Sequence, residues 1–501
     1  MAKAEDRVRL SKSRFMAGVQ CLKRLYLQVH QPELAAAPDD VALDALRQGQ
    51  EVGELARMAF PGGVLVEAAA DMLSGAIDRT QQLLADPRVQ AIFEGTFTQE
   101  DIVVQTDILA RGPRENWRLL EVKSSTQVKE YHPYDVGIQQ YVLNRFGLKT
   151  TPCLIHLNRN YVYNGREHEP DKLFTIELME SGVAKLREAL PALIRQQRMV
   201  LSLPEAPNIE PGPQCKDPVE CEFFDYCNKP LPDDHVSLLP GISTASLSQL
   251  AVKGIRSIKD IPEDFPLSER QRRACDCGKT QKAWFCKGLQ EAIAHLSYPL
   301  FFMDFETLNP AIPRFTGMRP YDPIPFQWSV HKREAPGGPT THHEFLAQDC
   351  NDPRLSFLTS LLDLLGKEGH VVVYNRTFES QRLKELALWL PDYAGQVAQI
   401  LPRLWDLLDV VRKNVYHPKF RGSFSLKRVL PALIPDMTYD GMEVSEGTEA
   451  GLAWETMVRG HADEQEKNRL RNAILEYCRQ DTLAMVCLLD FLAQASPSAG
   501  R

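Results

Sequence analysis

The sequence predicts a multidomain α/β protein, and three observations predict it. The chain has 501 residues, more than one hydrophobic core can organise, so two to four domains are expected. Segments with the apolar repeat of helices are interleaved with short β-branched and aromatic runs. Proline-rich punctuation divides the chain: SLPEAPNIEPGPQC (202–215) closes a first segment, PLPDDHVSLLPG (230–241) opens a small second one, and YPLFFMDFET begins a third near Tyr298. The expected domains are 1–229, 230–296 and 297–501.

Apolar content of 44% and charged content of 25% suit a globular protein rather than a disordered or fibrous one. No apolar run reaches the roughly 18 residues that span a bilayer. MAKAEDRVRLSKSR lacks the apolar stretch of a secretory signal, so a reducing, cytoplasmic setting without membrane partners is expected. Eleven cysteines in such a setting point to metal rather than disulfides. A net charge of −8 excludes a protein coated in positive charge, though not local basic grooves.

In the first domain, SRFMAGVQCLKRLYL reads as an amphipathic helix carrying Cys21. ALDALRQGQEVGELARMAF and DMLSGAIDRTQQLLAD read as further helices. AIFEGTFTQ, IVVQTDILARG and WRLLEVKSS read as successive strands, YDVGIQQYVLNRFG as a helix and CLIHL as a strand. The third domain reads as strands FFMDFE, PFQWSVHKR and HHEFLAQ, a helix, the strand HVVVYN, then mostly helices. The tail SPSAGR is expected to fray.

Glu121 and Lys123 stand two apart in a strand and so share a face, with Asp107 arriving from the strand before. Two carboxylates at one strand edge can hold Mg²⁺ or Mn²⁺, and the lysine can orient water or stabilise a phosphate in flight. Gln139 and Tyr141 follow on the next helix. Glu-Val-Lys alone would equally suit a solvated strand face. The ordered set resembles the RecB-like branch of the PD-(D/E)XK nucleases. That resemblance implies a restriction-endonuclease-like fold, Asp107 and Glu121 as metal ligands, Lys123 as the catalytic lysine, and Gln139 and Tyr141 near the substrate. Glu94 is a candidate further acid. Where many of these nucleases carry a ligating histidine, this chain has Gln50.

Certain RecB-like nucleases, the CRISPR-associated and AddB types, clamp their fold with a [4Fe–4S] cluster held by one cysteine before the nuclease core and three after it. Cys21 with Cys215, Cys221 and Cys227 is similar to that pattern, and four thiolates suffice for such a cluster. A zinc site is the competing reading, although zinc pairs usually stand two to four residues apart. Cys275, Cys277 and Cys286 match no site, and Cys153, Cys350, Cys478 and Cys487 read as core residues. In the middle segment, LAVKGIRSIKDIP resembles a helix–hairpin–helix, whose backbone amides could take a DNA phosphate; a plain helical spacer is the other reading.

Asp304 and Glu306 share one face of a strand. Asn375 ends a later strand and Glu379 enters a helix, while Tyr477 and Asp481 lie one helical turn apart. Acids so distributed can hold two metal ions that activate water and stabilise a leaving oxygen. The constellation resembles the DnaQ-like (DEDD) exonucleases of the RNase H-like fold. By that resemblance Asp304, Glu306, Glu379 and Asp481 bind metal and Tyr477 positions the attacking water. Glu379 stands where the family usually has Asp, with Asp406 as an alternative ligand. Arg421, Lys427 and Arg428 could track a phosphate backbone, with Phe420 or Phe424 stacking on bases, or could line a solvated helix face. The whole chain thus resembles fusions of a RecB-like iron–sulfur nuclease with a DnaQ-like domain. The resemblance implies a two-site, metal-dependent nuclease acting on DNA, single-stranded by analogy, with RNA as a further candidate. A nucleic-acid-binding scaffold in repair or defence is the alternative from another class.

Overall fold

The computed structural model describes residues 9–67, 73–113, 116–229, 231–460 and 462–496. The fold is mixed α/β and divides into two compact units: 1–230 with 310–322, and 231–309 with 323–501. Most of the tail SPSAGR lies outside the described residues.

Unit 1 is built on a sheet of seven strands: β1 (Leu10–Ser11), β2 (Val64–Leu65), β3 (Ala91–Gln99), β4 (Ile102–Arg111), β5 (Trp117–Lys123), β6 (Thr150–Leu157) and β7 (Phe174–Leu178). Their order is β2-β3-β4-β5-β6-β7, with β1 pairing parallel to the start of β4. β3, β4 and β5 form an antiparallel meander, and β5 then runs parallel to β6. The helix His132–Phe146 makes that crossover, as a parallel pair requires. Both faces of β5 are covered, so Leu119, Leu120 and Glu121 are all buried. The expected single helix around Cys21 is two helices, Lys12–Gln20 and Leu22–His30. Cys21 sits between them in an extended conformation, and its amide still caps the first helix on the Ala17 carbonyl. Phe15 of the first helix and Leu25 of the second enter the same apolar cluster, so apolar residues continue across the break.

Unit 2 has a five-stranded sheet and a two-stranded ribbon. In chain order the strands are β8 (Trp284–Phe285), β9 (Leu300–Leu308), β10 (Ile324–Arg333), β11 (Thr340–Leu346), β12 (His370–Val373), β13 (Leu404–Asp406) and β14 (Val415–Tyr416). The sheet order is β11-β10-β9-β12-β13, with β9 at its centre; β8 pairs with β14. Residues 231–296, expected to form a separate linker domain, share one hydrophobic core with the rest of unit 2. Leu250, Phe265 and Cys275 belong to the same cluster as Phe302, Val410, Val411 and Leu488. So short a segment cannot bury a core of its own. It contains the helix Thr244–Val252, a turn at Gly254, a short 3₁₀ turn and the helix Glu269–Thr280, so the second element of the expected hairpin is a single turn. A 31-residue helix, Glu464–Gln494, lies against β9 and β10.

Candidate functional site

In unit 1 the sheet brings the sequence-predicted acids together. Asp107 Oδ2 accepts the Val122 amide at 2.7 Å, fixing its carboxylate beside β5. Lys123 Nζ donates to Glu121 Oε1 at 2.8 Å and to Asp135 Oδ2 at 2.5 Å. Gln139 Nε2 donates to Glu121 Oε2 at 2.7 Å. Asp135 and Gln139 stand one helical turn apart and face the cluster together. Tyr141, two residues beyond Gln139, points elsewhere: its hydroxyl lies 3.5 Å from Glu100 Oε2 and its ring stacks on Arg145. Two residues along a helix turn the side chain through about 200°, which removes Tyr141 from the set. Gln50 is exposed, and Glu94 is paired with Arg57.

Sequence reasoning missed Lys12 and Asp135. Lys12 Nζ lies 2.9 and 3.0 Å from the two Glu121 oxygens, 3.9 Å from Asp107 and 3.7 Å from Asp135. Burial alone would lower the pKa of this ammonium, but the Glu121, Asp107 and Asp135 carboxylates outweigh it and hold Lys12 charged. Glu121 is likewise pushed up by burial but held below the usual carboxylate range by Lys12 and Lys123. Burial and the neighbouring Glu121 charge raise Asp107 to about 7, and the same two causes raise Asp135. Lys12 thus stands at the point where the acids converge, and a divalent ion bound there would displace its head group. A serine before it, capping the helix Lys12–Gln20, was the only local signal of where Lys12 would point.

In unit 2, Asp304, Glu306 and Cys478 offer donor atoms all within 4.8 Å of one another. The Cys478 thiol lies 3.9 Å from Asp304 Oδ2, so this residue belongs to the acid cluster rather than to apolar core. The charge of Asp481 is felt by Asp304 and Glu306, and Asp481 accepts a 2.5 Å hydrogen bond from the Tyr439 hydroxyl and another from Tyr477. Lys427 lies over the Tyr477 and Tyr439 rings at 5.2 and 5.9 Å, and its charge is felt by Asp304, Glu306 and Asp481. Glu379, in the first turn of the helix Arg376–Trp389, is 2% exposed, and its Oε2 has no hydrogen-bond partner among the described residues. Burial and the charge of neighbouring carboxylates raise Asp304, Glu306 and Glu379 well above their ordinary range; burial alone raises Asp481, to about 6, against its hydrogen bonds from Tyr439 and Tyr477 and the charge of Lys427. Buried carboxylates crowded around one lysine are costly unless cations join them. The donor set, oxygen-rich with one thiol, fits divalent metal.

Asp406 caps the helix Leu407–Asn414 and accepts the Arg376 amide, so both its oxygens are engaged. Of the expected phosphate-tracking residues, Lys427 turns to the acids, Arg428 is exposed, and Arg421 reaches Asp233 at 3.8 Å. Phe420 and Phe424 are buried and pack on each other at 5.8 Å, so neither offers a face to a base. Their apolar surface is needed in the core that residues 231–296 share.

Cys21, Cys215, Cys221 and Cys227 line one cavity in unit 1, closed by Leu27, Ile209 and Phe223. Burial raises the Cys221 thiol to about 11 and also raises Cys227. Among the described residues, no three of these thiols fall within 4.8 Å of one another. Elsewhere, Cys275 and Cys277 are buried, as is Cys153, whereas Cys350 is exposed and Cys286 and Cys487 are half-buried.

Residues 301–425 match the family described as "Domain of unknown function (DUF2779)". The chain is 25% identical over 227 residues to "Uncharacterized protein UU173" of Ureaplasma parvum, covering 40% of this chain and 32% of that protein. It is 24% identical over 209 residues to "Uncharacterized protein MG366" of Mycoplasma genitalium, covering 38% and 31%. The match therefore spans about a third of the length of these relatives. No solved structure matches the chain. Among the described residues no helix is long and apolar enough to cross a membrane.

Proposed function

We propose that this chain is a metal-dependent nuclease with two phosphodiester-cleaving sites, a RecB-like one in unit 1 and a DnaQ-like 3′→5′ exonuclease site in unit 2. The observation that carries the reading is the meeting in unit 2 of Asp304, Glu306 and Cys478, whose donor atoms lie within 4.8 Å of one another, with the charge of the buried Asp481 felt by Asp304 and Glu306 and that of Asp304 by the buried Glu379. Mg²⁺ or Mn²⁺ held by these carboxylates would polarise the phosphate and lower the pKa of water. In this reading Tyr477 orients that water and Tyr439 fixes the Asp481 carboxylate through its hydrogen bond. Lys427 neutralises charge on the departing strand.

In unit 1, Asp107 and Glu121 would hold the ion, with Gln139 orienting the Glu121 carboxylate. Lys123 is kept charged by Glu121 and Asp135 against the opposing effect of burial. It is thereby suited to stabilise the phosphate as charge develops. The four cysteines would hold a [4Fe–4S] cluster that ties the start of unit 1 to residues 215–227 and takes no part in cleavage. Single-stranded DNA is the proposed substrate.

The test is degradation of single-stranded DNA labelled at either end, with Mg²⁺ or Mn²⁺, by wild type, Lys123→Ala, Asp304→Ala and the double variant. Two active sites predict that each single variant loses a different part of the product pattern and the double variant is inert. DNA shifted in a gel but left intact by wild type would overturn the reading in favour of a binding scaffold. Cleavage of RNA alone would redirect the substrate.

A further inference from the structure

Residues 310–322 belong to unit 1 although the chain on either side belongs to unit 2. They are fastened firmly. Arg314 holds Glu51 through two nitrogens at 2.8 and 3.2 Å, and the Ala311 amide donates to Gln48 Oε1 at 2.8 Å. Tyr163 exchanges backbone hydrogen bonds with Gly317 and Met318. Ala311, Ile312 and Met318 are at most 1% exposed. The segment is closed by the Tyr321 amide on the Pro310 carbonyl at 3.0 Å.

What this anchoring holds is Tyr321, at φ +63°. A bulky aromatic in the left-handed region is a genuine outlier, and such outliers persist where the surroundings impose them, often at functional sites. The residue is 38% exposed. It lines a cavity of about 410 Å³ together with Lys123, Ser124, Lys129, Tyr131 and His132, a size in the range of small-ligand sites. His132 supplies a second, independent sign of a ligand. Its side chain is fully buried and Nδ1 accepts the Lys129 amide at 3.1 Å. Burial, with Lys123 and Lys129 nearby, keeps the ring neutral, so its one proton is on Nε2. That Nε2 has no partner among the described residues, leaving a buried donor beside two lysines and an aromatic face.

Resting on the nuclease reading of unit 1, we propose that this cavity seats the nucleotide next to the scissile phosphate, with its base stacked on Tyr321 and its phosphate met by Lys129 and His132. Tyr321 is then a substrate-positioning residue contributed by the 310–322 segment. Stacking of this kind is tolerant of base identity, as a degrading enzyme requires.

The test uses the full-length protein carrying Asp304→Asn to silence unit 2, with Ca²⁺ to suppress turnover. The probe is a 12-nucleotide oligodeoxythymidylate containing one 2-aminopurine, whose fluorescence is quenched on stacking. Tyr321→Gly is expected to weaken binding roughly tenfold and to relieve the quench. It should leave the thermal midpoint unchanged or raised, because glycine accepts φ +63° freely. Tyr321→Phe should bind and quench like the parent. Unaltered binding and quenching in Tyr321→Gly would overturn the proposal, and so would a lowered midpoint with binding lost equally in Tyr321→Phe. If Lys123→Ala abolishes cleavage while Tyr321→Gly binds normally, this inference fails and the nuclease reading stands. If Lys123→Ala changes no cleavage product, both fail.

Discussion

Replacing Asp481 by asparagine should make the metal-free protein more stable at pH 7.5. Burial holds the Asp481 carboxyl at about 6 against an ordinary 3.8. A carboxyl raised in this way binds its proton more tightly in the folded state. Below pH 3.8 both states are protonated and no penalty exists; as pH rises through 6 the folded protein must ionise a buried group, and stability falls. Above pH 6 the loss is roughly 3 kcal/mol. Asparagine has the same shape, never ionises and can still accept the Tyr439 hydroxyl. Thermal unfolding in EDTA should therefore rise by roughly 5–10 °C for Asp481→Asn at pH 7.5, and the gap should close near pH 4. Millimolar Mg²⁺ should reverse the order, because bound metal stabilises the wild type by mass action and the variant has lost a ligand. A wild type indifferent to Mg²⁺, with Asp481→Asn no more stable in EDTA, would refute the claim that these crowded acids carry a cost that bound cations relieve.

Three further outcomes follow from the same geometry. Lys12→Met should tighten Mn²⁺ binding in unit 1, roughly tenfold by titration of the Mn²⁺ electron-spin signal, because the ammonium no longer competes for Glu121 and Asp107; unchanged or weaker binding would show that Lys12 does not stand in the ion's place. Glu379→Gln should raise metal-free stability at pH 7.5, since it removes a buried carboxyl held up by burial and Asp304, yet lower exonuclease turnover by about a hundredfold. Retained turnover would remove Glu379 from the ligand set. Anaerobically purified protein should carry about four irons and absorb near 400 nm, and Cys221→Ser should lose both; stoichiometric zinc in the wild type would contradict the cluster.

Much of the architecture was legible because it rests on local patterns. The strands AIFEGTFTQ and IVVQTDILARG are clearly punctuated; the structure gives β3 the first of those bounds and ends β4 one residue sooner, at Arg111. The Glu121–Lys123 and Asp304–Glu306 pairs were readable because a strand places residues two apart on one face. The break at Cys21 was not, since apolar residues continue across the junction, Phe15 before it and Leu25 after it entering one cluster. Phe420 and Phe424 misled for a related reason: aromatics among basic residues serve equally well as stacking platforms or as core.

The sequence by itself determined the chemistry available: which acids, lysines and thiols the chain carries, and which of them share a strand face or a helical turn. Tertiary structure alone decided which of these meet. Lys12 reaches Glu121 across 109 positions of sequence, Cys478 reaches Asp304 across 174, and Tyr321 reaches the cavity beside Lys123 from a distant part of the chain. Periodicity is a property of one element and carries no information about which element will pack against it. The partners of a buried charge are chosen instead by the folded core, where an unpaired ion costs too much to be left alone.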